Sequence, residues 1–186
     1  TQPPPDGYVP YVPTPTYGHD LLREAVSPSL RASPIVCTQP EPWAIVKDGA
    51  FRAERTTVHL VEDVDHAAVS ERCEAWKADV AAGKMAPVSA VFGIGGGSAL
   101  DFAKFASRVL AVPLVLCPSI LSVDAGYTVA SGVRELRENA AGVSKMSVVY
   151  VGDCRPAALL VDFSLLRRAP PVLNRSGVGD LLSCAT

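Results

Sequence analysis

VFGIGGGSALDFAKFAS, residues 91–107, runs from an apolar segment through three consecutive glycines into a stretch with helical spacing. Glycine has no Cβ, so Gly93, Gly95, Gly96 and Gly97 let the backbone approach a pyrophosphate closely. The helix that follows would aim its free N–H groups and positive dipole end at the anion. Ser98 adds a hydroxyl, and Asp101 and Lys104 fall in the first turns of that helix. Asp101 is a poor phosphate contact because of its charge, and suits a ribose or nicotinamide-side hydroxyl or backbone N–H groups. The same glycines also suit a plain strand-to-helix turn. Neither standard fingerprint fits: the spacing is not G-x-x-x-x-G-K-[ST], and the glycines follow the third expected strand, unlike the usual dinucleotide G-x-G-x-x-G.

Working outward, apolar strands alternate with amphipathic helices. Residues 35–38 and 57–61 are expected strands, bounded by prolines or polar residues. Asp65 opens a long helix that Gly83 ends, with Ala68, Cys73, Trp76 and Val80 recurring on one side. A third strand is expected over 88–93, a helix over 99–110 and a fourth strand over 113–117. Continuous apolar strands at this spacing require a parallel sheet covered on both faces, a Rossmann-like α/β architecture. Past Pro118 the pattern loosens into a loop and strand-like pieces, then strands over 147–151 and 158–162 and one helical turn over 164–168. NRSGVGDLLSCAT, residues 174–186, has the glycines of a helix entry.

The 186 residues suit one domain plus extra pieces. Residues 1–17 hold six prolines and read as an extended arm that cannot form a helix interior; a short helix is expected from His19. Net charge is −2, with no basic excess to attract nucleic acid. No apolar run approaches the roughly 20 residues that span a bilayer, and residues 1–18 match no signal-peptide pattern. The five cysteines form no CxxC pair, which fits buried thiols in a reducing compartment, the cytoplasm. His19, His59 and His66 are the only histidines, and none sits at metal-ligand spacing from another.

Four motifs in order, GGGSALDFAK (95–104), PSILSVDAG (118–126), LLVDFSLLRRAP (159–170) and SGVGDLLS (176–183), carry a specific resemblance. Over about residues 18–186 the chain resembles the iron-containing alcohol dehydrogenase and glycerol dehydrogenase superfamily, in particular its sn-glycerol-1-phosphate dehydrogenase-like branch. The resemblance implies three parts: the arm (1–17), a Rossmann-like dinucleotide-binding domain (18–171), and the start of an all-helical metal-binding domain (172–186), cut off at residue 186.

It implies that Gly95, Gly96, Gly97, Ser98 and Asp101 bind NAD or NADP, and that Ser119, Ser122 and Thr128 contact the dinucleotide. Asp124 matches an aspartate near the substrate's hydroxyl groups. Asp180 matches the single carboxylate ligand of a Zn²⁺ or Fe²⁺ ion whose two histidines lie beyond the equivalent of residue 186; Asp124 and Asp180 are therefore the implied catalytic pair. Such a metal would act as a Lewis acid on the substrate hydroxyl while hydride leaves for the nicotinamide. The expected activity is NAD(P)-linked oxidation of a small polyol or polyol phosphate of the glycerol-1-phosphate or dihydroxyacetone phosphate type, inert in this chain alone. A homo-oligomer stays open.

One departure bears on the choice of dinucleotide. The family often places an acidic residue after the first strand, whereas CTQPEPW offers Thr38 or Gln39 there and Glu41 slightly later, leaving NAD against NADP open. Two rival functions also stand. One is a sugar-phosphate cyclase of the dehydroquinate synthase type, lowered because GYTVASGVRELRENA offers Arg134 and Arg137 but no lysine. The other is a non-catalytic nucleotide-binding module whose proline arm recruits a partner.

Overall fold

The computed structural model describes residues 12–138, 142 and 144–183, with the side chains of Asp180, Leu181 and Ser183 left out. Its centre is a six-stranded sheet built from β1 (Thr16–Gly18), β2 (Ile35–Thr38), β3 (Thr57–Leu60), β4 (Val91–Gly95), β5 (Leu114–Pro118) and β8 (Ala158–Asp162), in the order β1-β8-β5-β4-β2-β3. Every pairing in it is parallel. The Rossmann-like α/β sheet expected from the sequence is the observed one.

Both faces of the sheet are covered, and alternate strand residues enter separate cores. Ile35, Cys37, Val91, Leu114 and Leu116 point to one side, where α3 (His66–Ala81) and α4 (Gly97–Leu110) contribute Val69, Cys73, Trp76, Leu100, Phe102 and Ala106. Val36, Phe92, Ile94, Val115 and Cys117 point to the other, against α1 (Leu21–Glu24), α2 (Pro40–Ala50) and α5 (Phe163–Leu166). This two-sided burial is why the strands read as unbroken apolar runs. Gly93 permits a close helix–sheet approach: a Cβ there would stand 2.8 Å from Ala103 Cβ and 3.3 Å from Leu100 Cα, so α4 rests directly on β4.

Several local expectations need correction. The whole of α2 is missing from the sequence reading, because PEPW reads as a strand stop. Both prolines lie in the first turn of α2, where the backbone N–H would have no helical partner anyway. The glycine-bearing strand begins three residues later and ends two residues later than 88–93, and counting β1 it is the fourth strand. β1 itself falls inside the expected arm: Thr16 and Tyr17 pair with Leu160 and Val161 at the sheet edge. Most of that arm, residues 1–11, lies outside the described residues.

The loosened region is an antiparallel hairpin of β6 (Ser131–Glu138) and β7 (Ser144–Val151), with Val133 fully buried against the α3–α4 core. The last helix, α6, spans Pro171–Ser183, so Gly177 lies within it rather than at its entry. Its reason is close packing: a Cβ on Gly177 would overlap the Leu121 carbonyl oxygen.

Among the described residues no helix is long and apolar enough to cross a membrane. Cys37, Cys73, Cys117 and Cys154 are free and buried. Burial pushes the Cys73 thiol up to about 12, so it stays protonated and inert at neutral pH.

Candidate cofactor and substrate site

From β2 the chain leads outward to β3, and from β4 it leads the other way to β5 and β8. The crevice between the carboxyl ends of β2 and β4 is therefore the topological switch point, where open α/β sheets bind ligands. Gly95 ends β4, and Gly96 is the N-cap of α4 with no side-chain cap. The 14-residue helix thus presents the N–H groups of its first turn at the crevice.

The glycines are demanded by their surroundings. A Cβ on Gly95 would collide with the Gln39 side-chain oxygen and stand 2.8 Å from Ala99 Cβ. On Gly96 it would meet Ile120 Cδ1 at 3.0 Å, and on Gly97 it would meet Val123 Cγ2 at 3.0 Å. The last two contacts place the loop after β5 directly over the turn. Ser119 anchors that loop: its N–H donates to the Gly95 carbonyl at 2.9 Å, and its side chain is buried.

Further along, Asp124 opens a 3-10 turn, Asp124–Tyr127, and is exposed. Ser98 and Ser122 are half-buried on the two sides of the turn. Asp101 and Thr128 are joined by a residue to which the sequence reading gave no role. Lys104, with no exposed surface, donates from Nζ to Ala130 O at 2.8 Å, to Thr128 Oγ1 at 3.1 Å and to Asp101 Oδ1 at 3.5 Å. The Ser131 hydroxyl donates to the Asp101 carbonyl at 2.7 Å, fixing the start of the hairpin to α4. Burial pushes the Asp101 carboxyl up and the Lys104 ammonium down, and each charge opposes the shift of the other.

The glycine turn, Ser98, Asp101, Ser119, Ser122, Asp124 and Thr128 thus come together around the N-terminus of α4. The dinucleotide fits this geometry, since the first-turn N–H groups of α4 carry no side-chain cap and the glycines put no side chain of their own over them. Between Gln39, Gly96 and Ser119 on one side and α5 and α6 on the other lies a cleft of ≈ 440 Å³ with apolar walls at Ile45, Ile120 and Leu173. That is within the size range of small-molecule sites.

Three further residues hold the frame; the sequence reading named Gln39 only for the ribose end of the dinucleotide and passed over Asn174 and Asp162. Gln39 Oε1 accepts the Gly96 N–H at 3.2 Å. Asn174 on α6 accepts the Leu121 N–H at 3.0 Å and donates to Leu166 O at 3.1 Å. Asp162, buried at the end of β8, accepts the N–H groups of Leu21 at 2.8 Å, Ser164 at 2.9 Å and Asp20 at 3.2 Å. Polar residues at helix starts are common in any sequence, so only Asp162, an N-cap type just before a helical turn, gave a signal.

The metal expectation stands differently. Among the described residues no three His, Cys, Asp or Glu side chains converge as a metal site. His19 lies 3.1 Å from Ser164 Oγ, His59 packs between Trp76 and Phe102, and His66 lies beside Glu135. Asp180 falls in α6, and its side chain lies outside the described residues.

A family model described as iron-containing alcohol dehydrogenase matches residues 43–170. Glycerol-1-phosphate dehydrogenase (NAD(P)+) of Thermofilum pendens is 32% identical over 155 residues, covering 82% of this chain and 40% of the relative. The enzyme of the same name from Archaeoglobus fulgidus is 32% identical over 114 residues, 61% of this chain and 30% of the relative. Among solved structures, sulfoacetaldehyde reductase from Bifidobacterium kashiwanohense in complex with NAD+ superposes with a TM-score of 0.65 at 20% identity, over 95% of this chain and 51% of that one. The chain therefore spans less than half the length of these curated relatives.

Proposed function

Because the chain belongs to the iron-containing alcohol dehydrogenase family, we propose that it supplies the dinucleotide-binding part of a metal-dependent NAD(P)-linked dehydrogenase acting on a small polyol or polyol phosphate. The glycerol-1-phosphate and dihydroxyacetone phosphate pair is the favoured substrate type, given the relatives it matches over most of its length. The observation that carries the proposal is the turn Gly95–Gly96–Gly97 at the N-terminus of α4, which has no side chains of its own and no side-chain cap, beside the loop that bears Asp124.

When bound, the nicotinamide ring supplies a hydride acceptor or donor at its C4. The residues of this chain do the holding. The N–H groups of the first turn of α4 neutralise the pyrophosphate without bringing a cation into the cleft. Lys104, buried and triply bonded, fixes Asp101 and Thr128 in place beside the dinucleotide. Asp124 orients substrate hydroxyl groups from the exposed side of the loop. Asp180 is the chain's carboxylate toward a Zn²⁺ or Fe²⁺ ion; one carboxylate cannot hold it alone, so no step is routed through it. The buried free thiols agree with a cytoplasmic protein that acts on a small molecule.

Titration of the chain with NADH and NADPH, followed by nicotinamide fluorescence, tests the proposal. Saturable binding that is lost in Gly97→Val is expected. Absence of binding in the unaltered chain sinks it. Release of inorganic phosphate from a sugar phosphate without net NADH formation would favour the cyclase chemistry instead.

A further inference from the structure

The carboxyl end of β2 decides which dinucleotide a Rossmann-like site prefers. A carboxylate there accepts hydrogen bonds from the adenosine ribose 2′-hydroxyl, while donors and cations accommodate a 2′-phosphate. Here the position is held by Gln39, and the structure fixes which way its amide faces. The Gly96 N–H can only donate, so the group 3.2 Å from it is Oε1. That leaves the Nε2 amide, a pure donor, with no protein acceptor among the described residues. A ligand in the cleft therefore meets an amide donor at Gln39, where a carboxylate would otherwise accept from a ribose hydroxyl, and a neutral oxygen already engaged by Gly96.

The same cleft is also lined by Arg168, which follows α5, is exposed, and enters no ion pair among the described residues. α2 cannot do the same work from its N-terminus. Pro40 and Pro42 remove two of the donors of its first turn, and Glu41 is the only anionic lining residue of the cleft. The cleft is thus lined by one amide donor and one guanidinium, a donor set that matches phosphate oxygens.

Resting on the dinucleotide reading above, we propose that Gln39 and Arg168 form a 2′-phosphate clamp, so that this chain binds NADP(H) in preference to NAD(H). Glu41 opposes this preference, and its carboxylate would be the acceptor if the unphosphorylated dinucleotide were favoured.

The test is the ratio of dissociation constants for NADPH and NADH, measured by fluorescence titration on the full chain and two variants. NADPH is expected to bind tighter, and Arg168→Gln is expected to reduce the NADPH preference about tenfold, the effect of losing one charge-assisted contact. Gln39→Glu keeps an acceptor for the Gly96 N–H in the same shape while replacing the donor by a negative charge, and is expected to reverse the preference. Since Arg168 is exposed and Gln39→Glu is isosteric, the two variants report independently of any folding defect in either. An unaltered chain that prefers NADH, or a ratio unmoved by both variants, overturns the clamp while leaving dinucleotide binding intact. Failure of both dinucleotides to bind overturns the underlying reading as well, which separates the two outcomes.

Discussion

Lys104 and Thr128 are 24 residues apart in the chain, yet the Lys104 ammonium donates to the Thr128 hydroxyl at 3.1 Å in an interior with no solvent contact at the lysine. The bond ties the second turn of α4 to the loop after β5, and with Asp101 and Ala130 it satisfies all three ammonium hydrogens. Lys104→Met removes the donor and leaves a largely buried carboxylate without its countercharge. The expected loss is about 3 kcal/mol in chemical denaturation. The sign of its pH dependence follows from Asp101. Burial already raises its folded-state pKa, so stability falls as pH rises from the ordinary carboxylate value toward the raised one. Without Lys104 that window widens, and the variant should be closest to the unaltered chain at about pH 4.

Gly93 and Gly97 separate fold from function. Gly93→Ala places a methyl 2.8 Å from Ala103 Cβ and 2.9 Å from Leu116 Cδ2, inside a packed layer that cannot give way. A loss of about 1–3 kcal/mol is expected. Gly97→Ala meets Val123 Cγ2 at 3.0 Å, on a loop, and Ala125 Cβ at an ordinary 3.9 Å. It should melt close to the unaltered chain while weakening NADH binding. Paired thermal melts and fluorescence titrations of the two variants check the contrast.

His59 is expected to make the fold acid-sensitive. It is half-buried against Trp76 and Phe102, with ring centroids 5.6 and 4.4 Å away, and burial lowers its pKa, with Arg72 adding to the effect. A depressed folded-state pKa means that the unfolded chain binds more protons below about pH 6.5, so stability is lost as pH falls through the folded value. Melting temperature should decline from pH 7 to pH 5, and His59→Phe should flatten that decline.

Asp162→Ala removes one acceptor from three N–H groups at once. Those of Leu21 and Ser164 begin α1 and α5, so both short helices lose their anchor to β8. About 2–4 kcal/mol is expected from charge-assisted bonds lost in a buried setting. Hydrogen exchange should speed up at residues 20–24 and 163–166 before the sheet centre.

Purified as these 186 residues, the chain should produce no NADH from glycerol 1-phosphate, since three metal ligands do not meet among its described residues. Zn²⁺ should bind only weakly in a competition with a chelating dye. Turnover at an ordinary enzyme rate would overturn this expectation.

What the sequence determined by itself was the parallel sheet and the placement of the cradle. Strands buried on both faces are apolar at every position, and a backbone that must approach another chain segment or an anion needs glycine; both demands are local and are written in consecutive residues such as 91–97. Helix α2 was hidden because its two prolines read as breakers, although the first turn of a helix tolerates them. The Lys104 bridge, the amide orientation of Gln39, the Asp162 anchor and the meeting of Gly177 with Leu121 were decided only by the tertiary structure. Each joins segments distant in sequence, and a polar residue acquires a role only when burial removes water as its alternative partner. The glycines marked where backbone and helix N-terminus meet, while the long-range contacts fixed which side chains surround that turn.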